Sequence, residues 1–361
     1  MDPRKTLLAA CLLTLALAAC GGGGGEPPPV PGPDTTWTAV ESAVTASVQA
    51  NSIPGLTLSV YDRTGRQVYV RTWGDAAPSR RIAIASASKL VSGVVLLRLV
   101  DQGLLTLDST TGAVLGWTGP QAAITLRELL SFTSGLQPDP DCTNNALVTL
   151  AACVDTISQL PMVAPPATRF DYGSGHLHVA ARMAEVITGQ SWDAIVQAQL
   201  RTPLGLPAEF RYYTYPQQSL GLQNPLIAGG LRASADEYAR LLGVVFQKGL
   251  LDGQRLVSAA LFDEQAREPY PNVVIGASPA QQAGYPFRYG LTAWLECTTP
   301  ATGCTSLDSA GSFGFTPWID RSAGYYAILG MELAPGSGTQ IGIPLEQQIK
   351  PLVAQAIAKL P

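Results

Sequence analysis

Runs of β-forming residues sit near the two ends of the folded part of this 361-residue chain, and helical periodicities fill the stretch between them. Residues 56–61 and 67–73 are rich in Val, Leu, Thr and Tyr and flank Asp62-Arg63-Thr64-Gly65-Arg66, a hairpin turn by composition. Residues 289–296, 309–319 and 325–332 read as three more strands. Between the two groups, residues 88–102, 125–130, 175–188 and 235–248 repeat apolar side chains at helical spacing. Residues 37–50 and 345–360 do the same at the outer ends, the second despite Pro351. A sheet whose strands come from both ends of a chain must close around whatever lies between. The fold class is therefore α+β: a five-stranded, mostly antiparallel sheet flanked by helices, with a helical subdomain inserted. No repeat of about 20–50 residues is present, which excludes solenoids and propellers.

With 46% hydrophobic and 14% charged residues the chain is neither disordered nor fibrous. A net charge of −4 and only five lysines leave no basic stripe for nucleic acid. At the N-terminus, Arg4 and Lys5 precede an apolar run over residues 7–19 that is short for a membrane span and reads as a secretory signal. Its end, Leu17-Ala18-Ala19-Cys20, resembles a bacterial lipobox, which makes Cys20 the expected lipidated first residue after removal of residues 1–19. Residues 20–35, five glycines followed by a proline-rich tract, read as a tether. The expected location is the cell envelope, with the body of the protein facing the periplasm or exterior from a lipid anchor. Export agrees with the remaining cysteines, which fall into two close pairs, Cys142 with Cys153 and Cys297 with Cys304, expected as disulfides. Neither pair has zinc-site spacing, so no metal is expected.

The chemistry starts at Ser86-Ala87-Ser88-Lys89, where a short apolar run meets a helix start. A spacing of three places Ser86 and Lys89 on one helix face, so an amine lies beside a hydroxyl in the positive field of the helix N-terminus. If burial lowers its pKa, that amine can take the hydroxyl proton and make serine a nucleophile. The same residues also suit a helix cap and a solvated first-turn lysine, a reading that requires nothing further along the chain.

Further along, however, the segment resembles the superfamily of serine β-lactamases, D-alanyl-D-alanine peptidases and family VIII esterases, whose nucleophile lies in Ser-x-x-Lys. Phe170-Asp171-Tyr172-Gly173-Ser174 is similar to the second box, Tyr-x-Asn, with Ser174 in place of asparagine. Asp308-Ser309-Ala310-Gly311-Ser312-Phe313-Gly314 looks like the third box, with Ser309 at the position of its lysine or histidine. Ile53-Pro54-Gly55, Thr133-Ser134-Gly135-Leu136 and Gly229-Gly230-Leu231-Arg232 extend the likeness over residues 37–332. The resemblance implies a β-lactamase/DD-peptidase-like fold over residues 36–361, with an α/β part at about 36–80 and 280–361 and a mainly helical part at about 81–279.

By that resemblance Ser86 is the nucleophile, Lys89 its base and Tyr172 a proton relay. The N–H groups of Ser86 and Ser312 form an oxyanion hole, and Ser174, Ser309, Ala310 and Gly311 contact substrate. No cofactor is implied. The departures at Ser174 and Ser309 remove an amide and a cation that would hold a β-lactam. They point to a serine hydrolase forming an acyl-enzyme on carboxylic esters, or amides. The alternatives are a β-lactamase or a D-alanyl-D-alanine carboxypeptidase-like enzyme, or a non-catalytic penicillin sensor. A Ser-His-Asp triad is disfavoured: only His176 and His178 are available, and Tyr172-Gly173-Ser174-Gly175 lacks the full nucleophile-elbow pattern. Residues 139–166 and 212–224 are expected to wall the cleft, with Tyr212, Tyr213 and Tyr215 as candidates for an acyl pocket.

Overall fold

In the computed structural model, which describes residues 35–361, strands β1 (Gly55–Asp62) and β2 (Gln67–Gly74) form the expected hairpin. The other end of the chain supplies β3 (Arg288–Tyr289), β4 (Trp294–Leu295), β5 (Ser306–Asp308), β6 (Thr316–Asp320) and β7 (Tyr325–Gly330). Their order is β3-β4-β5-β6-β7-β1-β2, antiparallel throughout, so β7 joins the C-terminal strands to the N-terminal hairpin. The count of seven corrects the expected five. Residues 289–296 fold back on themselves, because Thr292 takes a left-handed φ of 63° and its N–H donates to the Leu130 carbonyl at 2.9 Å. Residues 309–315 leave the ladder as a loop, with Gly314 at φ 100°, and only 306–308 and 316–320 pair. Apolar periodicity does not register a turn imposed by a distant carbonyl.

Apart from the largely exposed edge strand β2, both faces of the sheet are buried, and alternate side chains divide between two cores. From β7, Tyr325, Ala327 and Leu329 join Leu56, Leu58 and Val60 of β1 against α1 (Thr38–Ala50) and the C-terminal helix. Tyr326 and Ile328 point the other way, into the large core shared with the inserted helices. That core is built round α2 (Ser88–Asp101), whose residues 88–99 are all buried. A helix buried on every side belongs at the centre of a domain, so its N-terminus, with Lys89 and the preceding turn at Ser86, is held in the interior. The α3 (Gly175–Thr188) and α4 (Ala235–Phe246) helices match their predicted bounds to within two residues. A capping box at Ser234 and Glu237 starts α4, and another at Thr125 and Glu128 starts a short helix beside α3. The last helix, α5 (Ile343–Ile357), keeps Pro351 inside it.

Both expected disulfides are present, Cys142–Cys153 and Cys297–Cys304, with Cα separations of 5.3 and 5.7 Å. The expected signal segment, the expected lipidation site at Cys20 and the expected tether up to residue 34 lie outside the described residues. Among the described residues no helix is long and apolar enough to cross a membrane.

Candidate active site

Ser86 lies in a single 3-10 turn, Ala85–Ala87, that feeds directly into α2. Ala85 before it has φ 45°, an unfavourable region for a residue with a Cβ, and Ser88 Oγ donates to the Ala85 carbonyl at 2.6 Å. The strained turn sets Ser86 half-buried at the helix N-terminus. Lys89 Nζ is 2.9 Å from Ser86 Oγ and donates to the Ala228 carbonyl, also at 2.9 Å. It also stands 4.5 Å from the centre of the Tyr172 ring. All three partners are neutral. Burial therefore pulls the ammonium down to about 7, and the Asp139 carboxylate offsets only part of that. Near neutral pH the contact can reverse, with the serine hydroxyl donating to a free amine.

Tyr172 is clamped by aromatic rings: stacked on Trp294 at 5.1 Å and edge-on to Phe132 and Tyr289 at 5.4 and 5.8 Å. Its N–H donates to the Ala277 carbonyl at 2.8 Å, fixing the backbone as well. Burial raises its pKa well above the ordinary phenol value, with hydrogen bonding to Ser86 acting the other way, so at neutral pH it is an uncharged phenol. Behind it, His176 is fully buried between Ser134 Oγ and the Asp171 carbonyl, each at 2.8 Å. A carbonyl only accepts, so Nε2 carries the proton and Nδ1 receives the Ser134 hydroxyl. Burial lowers this imidazole to about 4. Its place is structural: it ties the segment at Ser134 to the one that carries Tyr172. His178 is likewise fully buried, with Nδ1 donating to the Ser174 carbonyl at 3.2 Å.

The 309–315 loop closes the site opposite α2. A Cβ on Gly311 would lie 2.1 Å from the Ile84 carbonyl, so only glycine lets this loop approach the turn that holds Ser86. The close contact is with protein backbone, where the sequence suggested a substrate carbonyl. Among the described residues the amides of Ser86 and Ser312 are not engaged in hydrogen bonds, and both residues line the same cavity. Ser309 is buried, with Oγ 3.4 Å from the Ser86 carbonyl, and lines neither of the two cavities that meet at Ser86.

Those cavities, each about 330 Å³, share Ser86 and Ser312. One runs between Tyr172, Trp294, Ala310, Gly311 and Ile343. The other is bounded by Lys89, Ser174, Asn144, Tyr215 and Gln218. Among the described residues, no cation apart from Lys89 lines either. Larger surface recesses of about 480 and 370 Å³ bring no serine beside an amine. Of the three tyrosines expected at an acyl pocket, Tyr215 lines one of these two cavities, whereas Tyr212 and Tyr213 line neither; Tyr212 is buried with its hydroxyl 2.8 Å from Ser92 Oγ. Asn144 and Trp294 were not singled out from sequence. Asn144 falls within the predicted cleft-wall segment, whereas nothing in its own strand marks Trp294.

Glu296, Asp308 and Glu346 place carboxylate oxygens within 4.8 Å of one another just behind this loop. Lys350 pairs with Glu296 and, at 3.0 Å, with Glu346. Asp308 Oδ1 accepts the N–H of Ala310 at 2.7 Å, which links the cluster to the loop.

The family model described as Beta-lactamase matches residues 40–349. Among curated proteins, the chain is 35% identical to "Penicillin-binding protein 4" of Amycolatopsis lactamdurans over 148 residues, 37% of this chain and 36% of that protein. It is 24% identical to "Lovastatin esterase" of Penicillium rubens over 218 residues, 50% of this chain and 54% of that one. The chain thus spans only about a third to a half of the length of these relatives. Among solved structures, a candidate beta-lactamase from Bacteroides dorei DSM 17855 aligns with a TM-score of 0.77 at 24% identity, covering 90% of this chain and 99% of the other. EstCE1, described as a hydrolase with promiscuous acyltransferase activity, aligns with a TM-score of 0.71 at 17% identity, covering 90% and 98%.

Proposed function

The chain belongs to the beta-lactamase family, and from that premise we propose that it is a serine hydrolase that cleaves carboxylic esters through an acyl-enzyme. The observation that carries this reading is the 2.9 Å contact between Ser86 Oγ and a buried lysine whose neighbours are neutral. Such a lysine is free to act as a base near neutral pH. Ser86 Oγ attacks the ester carbonyl as its proton passes to Lys89 Nζ. The carbonyl oxygen takes up the electron pair and rests against the amides of Ser86 and Ser312. Collapse of the tetrahedral intermediate expels the alkoxide, which receives the proton from Lys89 or through the neutral Tyr172 phenol. Water, deprotonated by the same groups, then attacks the acyl-enzyme and releases the acid.

Esters suit the cleft better than β-lactams or D-alanyl peptides. Those substrates carry a carboxylate, and among the described residues no cation other than Lys89 lines the cavities to receive it. A missing charge-assisted hydrogen bond is worth about 1.5–3 kcal/mol, roughly ten- to a hundredfold or more in affinity.

The test compares p-nitrophenyl acetate and butyrate hydrolysis by the wild type and Ser86→Ala. Turnover by the wild type with about a 10³-fold or greater loss in the variant is expected. Equal turnover by a folded Ser86→Ala protein defeats the reading. If neither protein acts on esters but the wild type is labelled by a fluorescent penicillin, a penicillin-binding role replaces it.

A further inference from the structure

Ten large apolar side chains are conspicuously exposed among the described residues, and four of them gather at the mouth of the cleft. Leu147 is 89% exposed, Leu220 55%, Leu222 53% and Tyr215 39%. They come from two loops that lie side by side. Leu150 N–H donates to the Gln223 carbonyl at 2.9 Å, and Gln223 Nε2 donates to the Ala146 carbonyl at 3.0 Å. Tyr215 and Leu220 face each other across a β-bridge. A Cβ on Gly221 would come within 2.9 Å of Ala146 Cβ, so the two loops touch at residues adjacent to Leu220 and Leu222 on one side and Leu147 on the other.

The exposure is built in, not a by-product of slack chain. The Cys142–Cys153 disulfide closes the first loop, and Asn224 Nδ2 pins it again by donating to the carbonyls of Cys142 and Asn145 at 2.8 and 2.9 Å. Apolar side chains clustered and held exposed beside a cleft are a mark of binding regions, unlike those scattered singly over a surface. The patch is continuous with the catalytic cleft: Tyr215 and Asn144 line the cavity that contains Ser86 and Lys89. Residues 140–150 and 212–224 contain no Lys or Arg, and Arg232, which reaches the second loop, is engaged at the Pro216 carbonyl at 2.6 Å.

Resting on the ester-hydrolase reading, we propose that this rim receives the hydrocarbon tail of the substrate, so that the substrate class is long-chain, lipid-like esters without a charged headgroup. The reacting carbonyl sits at Ser86, and the chain leaves the cavity past Tyr215 onto Leu220, Leu222 and Leu147.

The experiment measures kcat/KM for p-nitrophenyl acetate and p-nitrophenyl dodecanoate, the latter below its aggregation concentration. It uses the wild type and the triple variant Leu147→Ser, Leu220→Ser, Leu222→Ser, with thermal melting as a check on folding. The variant should lose about tenfold or more on dodecanoate and less than about twofold on acetate. Equal changes on both esters, or none on dodecanoate, overturn the proposal. If the wild type hydrolyses no ester, the two readings separate by binding. Anisotropy of a fluorescent dodecanoyl probe that rises with wild type and not with the triple variant keeps the tail site without the esterase, and no rise with wild type removes it. A wild-type dimer that becomes monomeric in the triple variant would assign the surface to a second copy and overturn the proposal too.

Discussion

Among the described residues, Lys89 is buried and Lys350 is largely enclosed, and the two have opposite chemistry. Lys89 is 4% exposed among a hydroxyl, a carbonyl and a ring face, and its ammonium is pulled down to about 7. For Lys350 burial acts in the same sense, but the Glu346 and Glu296 carboxylates outweigh it and hold the ammonium far above its usual value. Burial alone therefore decides neither case; the charge of the first neighbours does. The first site leaves a proton easy to move, and the second locks it in place. The Lys350 site also carries the reverse imbalance, three carboxylates to one ammonium. Glu346 is accordingly pushed up to about 7 by burial and by Glu296, and Asp308 lies well above the usual carboxylate range because of burial and Glu346.

The strongest way to break this contrast is Lys89→Met. If Lys89 is the labile base, kcat on a soluble ester falls about 10³-fold or more. Folding stability should hold or rise, because an unpaired buried ammonium has been replaced by an apolar chain of similar length. The wild-type pH profile gives the same result in finer form. Activity needs the free amine, so kcat/KM should climb tenfold per pH unit below about 7 and level off above it. The sign for stability is the same. A lysine at about 7 when folded and 10.5 when unfolded binds fewer protons in the folded state over that range, so its contribution improves as pH rises from 7 to 10.5. A variant that loses stability and keeps its activity would place Lys89 with Lys350, as a structural cation.

Lys350→Met should do the converse. Removing the one cation from three buried carboxylates should cost about 3–5 kcal/mol in a denaturant titration, the usual penalty for leaving a buried charge unpaired. The folded fraction should retain its specific activity and its pH limb near 7, since Lys350 touches neither cavity. A shifted pH limb would show that the two sites are electrostatically coupled.

The two sites were unequally legible in the sequence. The Ser86–Lys89 pair is local, three residues apart on one helix face, and periodicity placed the helix. What makes the lysine basic is not local: the Ala228 carbonyl and the Tyr172 ring reach it from 139 and 83 residues away. Glu346 and Lys350 are readable as an i,i+4 pair, but Glu296 and Asp308 arrive from beside β4 and from β5. The two strand segments that the sequence joined were misread for a related reason. Run 289–296 has strand composition, and the turn at Thr292 is fixed by the Leu130 carbonyl, which meets it only in the folded molecule; in 309–319 the glycines at 311 and 314 mark the loop, which the Gly311 N–H closes on the Phe315 carbonyl at 2.7 Å. Helices whose faces pack continuously along their length, such as α3, carried their own signal and were placed to the residue.

The smallest predicted effect separates what links the two sites from what does not. Asp308 belongs to the acidic cluster, yet its Oδ1 also accepts the Ala310 N–H at 2.7 Å and so holds the loop that carries Gly311 and Ser312. Its other oxygen, Oδ2, is buried without a hydrogen-bond partner, as is Glu296 Oε1 in the same cluster. Asp308→Asn keeps an oxygen for Ala310, removes a carboxyl that burial and Glu346 make costly to ionise, and turns Oδ2 into an N–H donor among carboxylates. The variant should gain about 1 kcal/mol at pH 8, where the cluster is most nearly ionised. Below about pH 5 the gain should shrink. The carboxyls whose folded pKa values are raised are protonated there, and the stability they contribute at low pH is lost only as pH rises through about 7. Esterase kcat should stay within about twofold, because the loop keeps its hydrogen bond and the Lys89 amine keeps its neutral neighbours. A large fall in kcat with the loop bond intact would mean that the negative field of the cluster, not only its geometry, reaches Ser86, and the contrast between the two lysines would then describe one electrostatic unit.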